Sequence, residues 1–188
     1  FRAYVDWIFR SFKTLELRIL LVGDDDSGKT TLLHQWYHQK FVDLPPNYMG
    51  GFEVQTVEYP QKCRWTIWDI TLGSDPIRKL LYHYFQNTAA VLYVHDCDRH
   101  LDDAISSVHY YIGVMLEREC SLLYIVPNKQ DKLPSEKSQG LAHDLREAYK
   151  KELARYEGQI CWKVLDFKIS AKTGEGVWEI LDEIYGEL

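Results

Sequence analysis

Residues 17–30 read LRILLVGDDDSGKT, and this stretch decides the fold. Its second half, Gly23–Thr30, fits the pattern G-x-x-x-x-G-K-[ST] of a phosphate-binding loop. Its first half, Leu17–Val22, is a short apolar run typical of a buried strand, and a helix is predicted from Lys29 onward. A glycine-rich loop between a strand and a helix directs backbone N–H groups and the positive end of the helix toward an anion. The stretch therefore predicts a phosphate site in an α/β protein.

The chemistry expected of this loop follows from its polar residues. Lys29 is expected to contact the β- and γ-phosphates, and the Thr30 hydroxyl is expected to bind Mg²⁺. The loop residues predicted to bind nucleotide are Asp25, Asp26, Ser27, Gly28, Lys29, Thr30 and Thr31. Three adjacent carboxylates, Asp24–Asp26, would repel a phosphate. We expect them to be solvated on the outer rim of the loop, an interpretation favoured over a catalytic role.

A second motif, Asn128-Lys129-Gln130-Asp131, follows the apolar run Ser121–Val126 and fits the guanine-reading pattern N-K-x-D. The carboxylate of Asp131 can accept hydrogen bonds from the ring N–H and the amino group of guanine together. Adenine lacks this pair of donors, so ATP would leave the carboxylate unpaired, at a cost of about 1–3 kcal/mol or more. The stem of Lys129 can lie over the base. The motif therefore selects GTP or GDP as the ligand.

A loop after the last predicted strand completes the base site. It reads Ser170-Ala171-Lys172, and the N–H of Ala171 could meet the guanine oxygen. The residues predicted to contact the base are Asn128, Lys129, Asp131, Ser170, Ala171 and Lys172.

Apolar runs alternate with helical patterns along the chain, which predicts βαβ units and a mostly parallel sheet with helices on both faces. The predicted strands are Leu17–Val22, Phe52–Tyr59, Arg64–Ile70, Ala89–Asp96, Ser121–Val126 and Trp162–Ile169. The predicted helices are Lys29–Gln39, Asp75–Phe85, Leu101–Glu117, Glu136–Glu157 and Gly176–Tyr185. Only Pro60–Cys63 separates the second strand from the third. These two strands are therefore expected to form an antiparallel hairpin at one edge of a six-stranded sheet.

Composition limits the partners. The chain has 188 residues and a net charge of −6, which argues against a general nucleic-acid binder. It has no run of about 18 apolar residues, so no membrane-spanning helix is predicted. The chain begins at Phe1 without a Met, and we expect its native N-terminus to lie upstream.

The first residues stand apart from the rest. Residues 1–14 are predicted to form an amphipathic helix, and residues 15–188 a single domain. The residues on the apolar face of this helix are Phe1, Tyr4, Val5, Ile8 and Phe12. Such a helix can lie in a membrane interface or pack against its own domain, and both possibilities remain open.

The chain resembles the ADP-ribosylation-factor and Arf-like small GTPases from about Phe1 to the C-terminus, most closely in three further stretches. The further stretches are Gly51–Tyr59 (GFEVQTVEY), Trp68-Asp69 and His83–Thr88 (HYFQNT). The resemblance implies the P-loop small-GTPase fold, with GTP or GDP and Mg²⁺ as cofactors. It also implies that Asp69 supports Mg²⁺ through water, together with Thr30, and that Gly73 lies at the nucleotide.

The same resemblance implies partners and a location. Exchange factors and effectors would be protein partners, and Phe52, Trp68 and Tyr84 match an aromatic effector patch, although the alternative is that these rings are ordinary core. In the family, the N-terminal helix is displaced when the edge hairpin, here Phe52–Ile70, slides on GTP loading, and the freed helix engages a membrane. A cytoplasmic protein that acts in vesicle transport, peripheral on the Golgi or a related endomembrane, is therefore expected.

Two departures from the family pattern concern hydrolysis. The family has a Mg²⁺-binding threonine in switch I, whereas alignment on Gly51 places Met49 there, and no threonine occurs between Thr31 and Thr56. A thioether is a poor ligand for a hard cation. Switch I is therefore expected to sense the γ-phosphate weakly.

The second departure is in switch II, where the family has a glutamine that positions the attacking water. An extra residue in this chain leaves either Ser74 or Gly73 at that position, and no glutamine occurs between Gln61 and Gln86. We therefore expect little intrinsic GTP hydrolysis and predict no catalytic residue.

Three hypotheses remain open at this stage. The first is a nucleotide-binding switch or scaffold with weak hydrolysis. The second is a regular GTPase that needs an activating protein, and the third is an interaction subunit that works without nucleotide. A P-loop kinase or ATPase is disfavoured, because neither class uses an acid such as Asp131 in an N-K-x-D loop.

Overall fold

Six strands form one sheet in the order β2-β3-β1-β4-β5-β6. A computed structural model describes residues 15–45, 52–59, 63–70, 83–118, 120 and 122–188, apart from the side chains of residues 135–139 and 142. The strands are β1 (Leu15–Val22), β2 (Phe52–Tyr59), β3 (Cys63–Ile70), β4 (Ala90–Asp96), β5 (Leu122–Asn128) and β6 (Cys161–Val164). Strands β2 and β3 are antiparallel, and all other neighbours are parallel. The predicted parallel sheet with one antiparallel edge hairpin is confirmed.

Helices cover both faces of this sheet, as predicted. Those of ten or more residues in the described part are α1 (Lys29–His38), α2 (Leu101–Glu117), α3 (Ser135–Leu153) and α4 (Val177–Glu187). Buried side chains of α1 and α4 pack with one face, among them Trp36 and Ile180. Those of α2 and α3 pack with the other face, among them Val108 and Tyr149. Each face of the sheet thus has its own apolar core.

Several observed boundaries differ from the predicted ones. Strand β5 runs to Asn128 rather than ending at Val126, because Pro127 and Asn128 still pair in register with β4. Strand β6 ends at Val164 rather than at Ile169. After Val164 the chain leaves the sheet, although Ile169 is fully buried. The apolar residues after Val164 are therefore buried as predicted, but they do not pair in the sheet.

Helix α3 ends at Leu153 and is followed by a 3₁₀ turn at Ala154–Tyr156, so the predicted single helix Glu136–Glu157 is shorter than expected. Most of the predicted helix Asp75–Phe85 lies outside the described residues, as does the predicted helix over residues 1–14. Across the part of the chain that the structure describes, no helix combines the length and apolar content needed to span a bilayer.

Candidate nucleotide-binding site

The phosphate loop connects β1 to α1 and folds around its own lysine. Gly23 and Gly28 have φ values of 141° and 96°, in the region that favours glycine. The Lys29 ammonium group donates to the backbone oxygens of Gly23, at 3.0 Å, and of Asp24, at 2.7 Å. Burial lowers the pKa of Lys29, and the charge of Asp69 opposes this effect. A buried cation held by carbonyl oxygens is suited to bind an anion.

A buried hydroxyl in the same loop also has capacity for a ligand. Ser27 is fully buried, and its Oγ has no hydrogen-bond partner among the described residues. Buried hydroxyl groups in proteins normally have a partner. Ser27 therefore fits a loop whose polar groups are completed by a bound phosphate.

Thr30 and Asp69 come together at the start of α1 and the end of β3, as a Mg²⁺ site requires. The Thr30 hydroxyl donates to Oδ2 of Asp69, and Oδ1 of the same buried carboxylate has no partner in the described chain. Burial raises the pKa of Asp69, against the hydrogen bond from Thr30 and the charge of Lys29. Carboxylate and hydroxyl oxygens are ligands that Mg²⁺ accepts. These two residues fit the ion.

The described residues contain no group of three or more His, Cys, Asp or Glu side chains that could hold a metal. Mg²⁺ usually keeps water and phosphate oxygens among its ligands and takes few from the protein.

The three acidic side chains of the loop behave differently from one another. Asp25 and Asp26 are exposed, as expected. Asp24 is half-buried and turns toward α2, where its Oδ1 accepts a hydrogen bond of 2.5 Å from the Ser107 hydroxyl. The Tyr93 hydroxyl lies 3.2 Å from the other oxygen of Asp24. The expectation of a solvated rim is therefore wrong for Asp24, because α2 and β4 each supply a hydrogen-bond donor that the sequence pattern did not reveal.

The base-reading loop is joined to the phosphate loop through Asn128. This side chain is buried and donates from Nδ2 to the backbone oxygen of Ser27, at 2.9 Å. Its Oδ1 accepts from the N–H of Ala171, also at 2.9 Å. Asn128 thus connects the loops after β1, β5 and β6. The N–H of Ala171, predicted to meet guanine, donates to Asn128 instead in this structure.

The proposed base-reading acid is positioned by a neighbouring loop. The hydroxyl of the buried Ser170 donates to Oδ1 of Asp131, at 2.7 Å. A carboxylate has about four lone-pair sites, so Asp131 can accept further hydrogen bonds. The ammonium group of Lys129 lies 2.8 Å from Oδ2 of Asp96, a buried residue at the end of β4. This ion pair fixes the end of the lysine stem that was predicted to lie over the base.

Sequence reasoning missed two supporting residues. Asp96 is the first charged residue after the apolar part of β4, and its place at the carboxyl end of a parallel strand was an available signal. Gln35 on α1 donates to the backbone oxygen of Ala171, at 2.9 Å, and no motif indicated this contact. Lys172 is exposed beside this loop. Of the other predicted positions, Gly73, Ser74 and Met49 lie outside the described residues.

The three aromatic residues of the predicted effector patch lie together. The ring of Phe52 is 4.9 Å from that of Tyr84 and 5.2 Å from that of Trp68, between ring centroids. Phe52 is 48% exposed, whereas Trp68 and Tyr84 pack partly against the core. The guanidinium carbon of Arg18 lies 4.2 Å from the ring centre of Trp68. The cluster is therefore anchored in the core and presents one exposed ring.

A phosphate loop after β1 and a base-reading loop after β5, on this sheet order, define a protein of the small-GTPase fold. The family model for the ADP-ribosylation factor family matches residues 5–188. The chain therefore belongs to the Arf family. It is accordingly a GTP-binding small GTPase of a family that acts in trafficking.

Proposed function

We propose that the chain binds GTP and GDP between the loops after β1, β5 and β6, and that it acts by engaging partner proteins while hydrolysing GTP slowly. The observation that carries this proposal is the buried Asn128, whose amide bonds both Ser27 and Ala171 at 2.9 Å. This side chain fixes the phosphate end and the base end in one site. A ligand with phosphates at one end and a purine at the other fits such a site.

At the phosphate end, Lys29 supplies the charge and the loop supplies backbone N–H groups. The lysine is held by two carbonyl oxygens of the loop, so it is already oriented when the ligand arrives. Preorganised donors lose little conformational freedom on binding. Thr30 and Asp69 would hold Mg²⁺, which neutralises phosphate charge when it is bound.

At the base end, Asp131 would distinguish guanine from adenine. Ser170 restrains this carboxylate, and a restrained acceptor is costly to leave unpaired with the wrong base. Asp96 restrains Lys129 beside it. Guanine recognition therefore depends on side chains whose orientations are set before binding.

Slow hydrolysis is proposed from the sequence of the switch regions. The chain has no glutamine between Gln61 and Gln86 and no threonine between Thr31 and Thr56. Even a small GTPase that has the glutamine can turn over at about 10⁻⁴ s⁻¹ without an activating protein. Without an amide to position water, the chain is expected to remain in its GTP form for longer than such relatives.

Partner binding and membrane association complete the proposal. The exposed Phe52 with Trp68 and Tyr84 offers an aromatic anchor for an effector. Residues 1–14 would form the amphipathic helix that places the protein on an endomembrane, with the domain at 15–188 in the cytoplasm. Exchange factors would act on the same nucleotide site.

The proposal is tested by identifying the nucleotide and following its exchange. Mass analysis of material released from denatured protein should find GDP or GTP, and removal of Mg²⁺ by a chelator should speed release of a fluorescent GDP analogue. Equal affinity for ATP and GTP, or no binding of either, would contradict the proposal.

Hydrolysis needs a separate single-turnover measurement with GTP. The wild-type rate should lie below that of glutamine-bearing relatives, and Ser74→Gln or Gly73→Gln should raise it. A rate typical of those relatives in the unmodified chain would sink the slow-hydrolysis part. Fast turnover only after adding an activating protein would favour the regular GTPase hypothesis instead.

A further inference from the structure

Gln35 is a buried polar residue of α1 that has no place among the proposed ligand contacts. Its side chain is 7% exposed, and its Nε2 donates to the backbone oxygen of Ala171 at 2.9 Å. It lies on the helix that begins with Lys29 and Thr30, yet this contact is to the loop after β6. Buried side-chain amides in proteins are normally hydrogen-bonded. Gln35 therefore joins the helix of the phosphate end to the loop of the base end.

The backbone of Ala171 is held from two sides. Its oxygen accepts from Gln35, and its N–H donates to Oδ1 of Asn128 at 2.9 Å. Gln35 also lies beside the end of the same turn, since a Cβ atom added at Gly174 would be 3.5 Å from Nε2 of Gln35. The N–H of Gly174 donates to the backbone oxygen of Ser170, also at 2.9 Å. Gln35 thus contacts the turn 170–174 at two places.

This turn carries the hydroxyl that holds the proposed base-reading acid. Oγ of Ser170 donates to Asp131 at 2.7 Å and accepts from the N–H of Thr173 at 3.2 Å. The direction of this hydroxyl therefore depends on the shape of the turn. Asp131 would accept two donors from guanine, and a bidentate contact needs a fixed carboxylate orientation. A residue that fixes the turn can therefore control how well guanine is recognised.

The next residue on α1 makes a contact that serves as a structural comparison. Trp36 is also buried, and its Nε1 donates to the backbone oxygen of Val177, the first residue of α4, at 2.8 Å. Both hydrogen bonds connect α1 to the segment after β6, so both are expected to stabilise the fold. Of the two, the one from Gln35 reaches the residue that directly follows Ser170.

We propose that Gln35 is a positioning residue for guanine recognition. It holds Ala171 so that Ser170 keeps Asp131 in the orientation that accepts both guanine donors. Acceptors that are oriented before binding reduce the ordering cost of the complex. The inference rests on the proposed function, because it concerns the same base site, and it adds a specificity determinant on α1, outside the loops that would touch the base.

Gln35→Met tests the proposal, because methionine retains the length of the side chain but removes the donor. Affinities for GDP and inosine diphosphate (IDP) are measured by competition with a fluorescent GDP analogue. Inosine lacks the exocyclic amino group of guanine, so it offers Asp131 one donor rather than two. Gln35→Met should bind GDP roughly fivefold more weakly, the size of one net hydrogen bond. IDP should lose less than about twofold, because a single contact tolerates a turned carboxylate better than a bidentate one.

Trp36→Phe is the matched control, since it removes a buried hydrogen bond from the same helix and retains an aromatic ring. It should lower the unfolding temperature and leave the ratio of GDP to IDP affinity unchanged. Thermal unfolding of every variant checks that it folds. Gln35→Asn, which shortens the reach of the amide by one methylene group, replaces Gln35→Met if the latter does not fold. Equal losses for GDP and IDP at Gln35, or an equal change of the ratio in Trp36→Phe, would refute the positioning role.

A double variant tests the route through Ser170. In the Ser170→Ala background, adding Gln35→Met should weaken GDP binding less than about twofold, because the group through which Gln35 acts is already absent. The full fivefold loss in that background would show that Gln35 acts by another route and would overturn the proposal.

Failure of this inference can be distinguished from failure of the proposed function. Wild-type protein that prefers GDP to IDP, with the same preference in Gln35→Met, would remove the inference and keep the proposed function. Wild-type protein that binds neither nucleotide would contradict the proposed function, and the inference with it.

Discussion

The two ends of the proposed nucleotide site each contain a carboxylate held by a serine hydroxyl, yet the two serines lie in different parts of the fold. At the base end, Ser170 belongs to a loop of the site itself and lies 2.7 Å from Asp131. At the phosphate end, Ser107 belongs to helix α2 and lies 2.5 Å from Asp24. The first serine keeps a negative charge where guanine donors would arrive. The second holds a negative charge against a helix, so the location of the serine determines which role each acid can have.

The largest expected effect is at the phosphate end, where Lys29 provides the positive charge near Asp24. Lys29→Ala should weaken GDP binding by about 2–5 kcal/mol, because a buried charged contact is lost. That corresponds to roughly 30-fold to several-thousand-fold in affinity. Calorimetric titration measures it, with the exposed Lys150→Ala on α3 as control. Unchanged affinity in Lys29→Ala would show that Lys29 does not bind the phosphates and would contradict the assignment of the phosphate end.

The next largest effect is on the pH dependence of stability. It concerns His95, a buried residue on β4 that interacts electrostatically with both Asp24 and Asp96. Burial lowers the pKa of His95 to about 4, and these two carboxylates oppose the shift. Between pH 6.5 and 4 the unfolded chain therefore binds a proton that the folded chain does not. The free energy of unfolding should fall by about 3 kcal/mol as the pH falls through this range. Above about pH 6.5 the contribution of His95 to stability is fully retained.

Urea denaturation at several pH values measures the His95 effect. His95→Gln, which retains a polar group near Tyr149, should show a shallower loss of stability with acid. His143→Gln, at an exposed position, serves as control and should follow the wild type. Parallel curves for His95→Gln and the wild type would show that the carboxylates outweigh burial.

The base end is tested by changing which donors Asp131 can accept. Asp131→Asn should cost guanine nucleotides about 1.5–3 kcal/mol and shift preference toward xanthine nucleotides, because a carboxamide can donate to the second xanthine oxygen. Competition with a fluorescent GDP analogue measures both affinities. Asp166→Asn is the matched control, since Asp166 is exposed and pairs with Arg146. Retained guanine preference would contradict the base assignment.

The smallest expected effects come from the two serines themselves. Ser170→Ala and Ser107→Ala should each weaken GDP binding by about 1 kcal/mol, but for opposite reasons. Ser170→Ala frees Asp131, whose fixed orientation is needed to recognise guanine. Ser107→Ala frees Asp24, whose carboxylate can then turn toward the phosphates and repel them. Adding Asp24→Asn should therefore restore binding in Ser107→Ala. Ser106→Ala is the control, since the Ser106 hydroxyl donates to the backbone oxygen of Asp102 within α2.

Absence of rescue in the double variant would show that Ser107 acts on folding rather than on the charge of Asp24. Exchange rates of the fluorescent GDP analogue provide the second measurement for all four proteins.

The mostly parallel sheet and its antiparallel edge hairpin were predictable, because apolar runs mark buried strands and a short connection joins the second strand to the third. The exact ends were less so. Pro127 and Asn128 read as loop residues, yet they continue β5, since a parallel partner strand aligns with them. Ile169 belongs to a predicted strand, yet it lies in a loop, and its own side chain is fully buried in the core. Periodicity reports burial, and only the neighbouring chain decides hydrogen-bond pairing.

The phosphate and base loops were predictable because their motifs are local. The orientation of Asp24 was not, since its serine partner is 83 residues away and on a helix with no motif. The contact between Gln35 and Ala171 spans 136 residues and was equally invisible. Long-range side-chain partners of this kind have no pattern in a single sequence.

Gly28 has a consequence for ligand size. A Cβ atom added at this position would lie 2.3 Å from Nδ2 of Asn128, so no other residue allows the amide to approach the loop backbone as it does. The missing methyl group thereby sets the spacing between the phosphate half and the base half of the proposed nucleotide site, which a guanine nucleotide must bridge. Shorter molecules, such as a free base or inorganic pyrophosphate, would contact only the base half or only the phosphate half and would lose the contacts of the other.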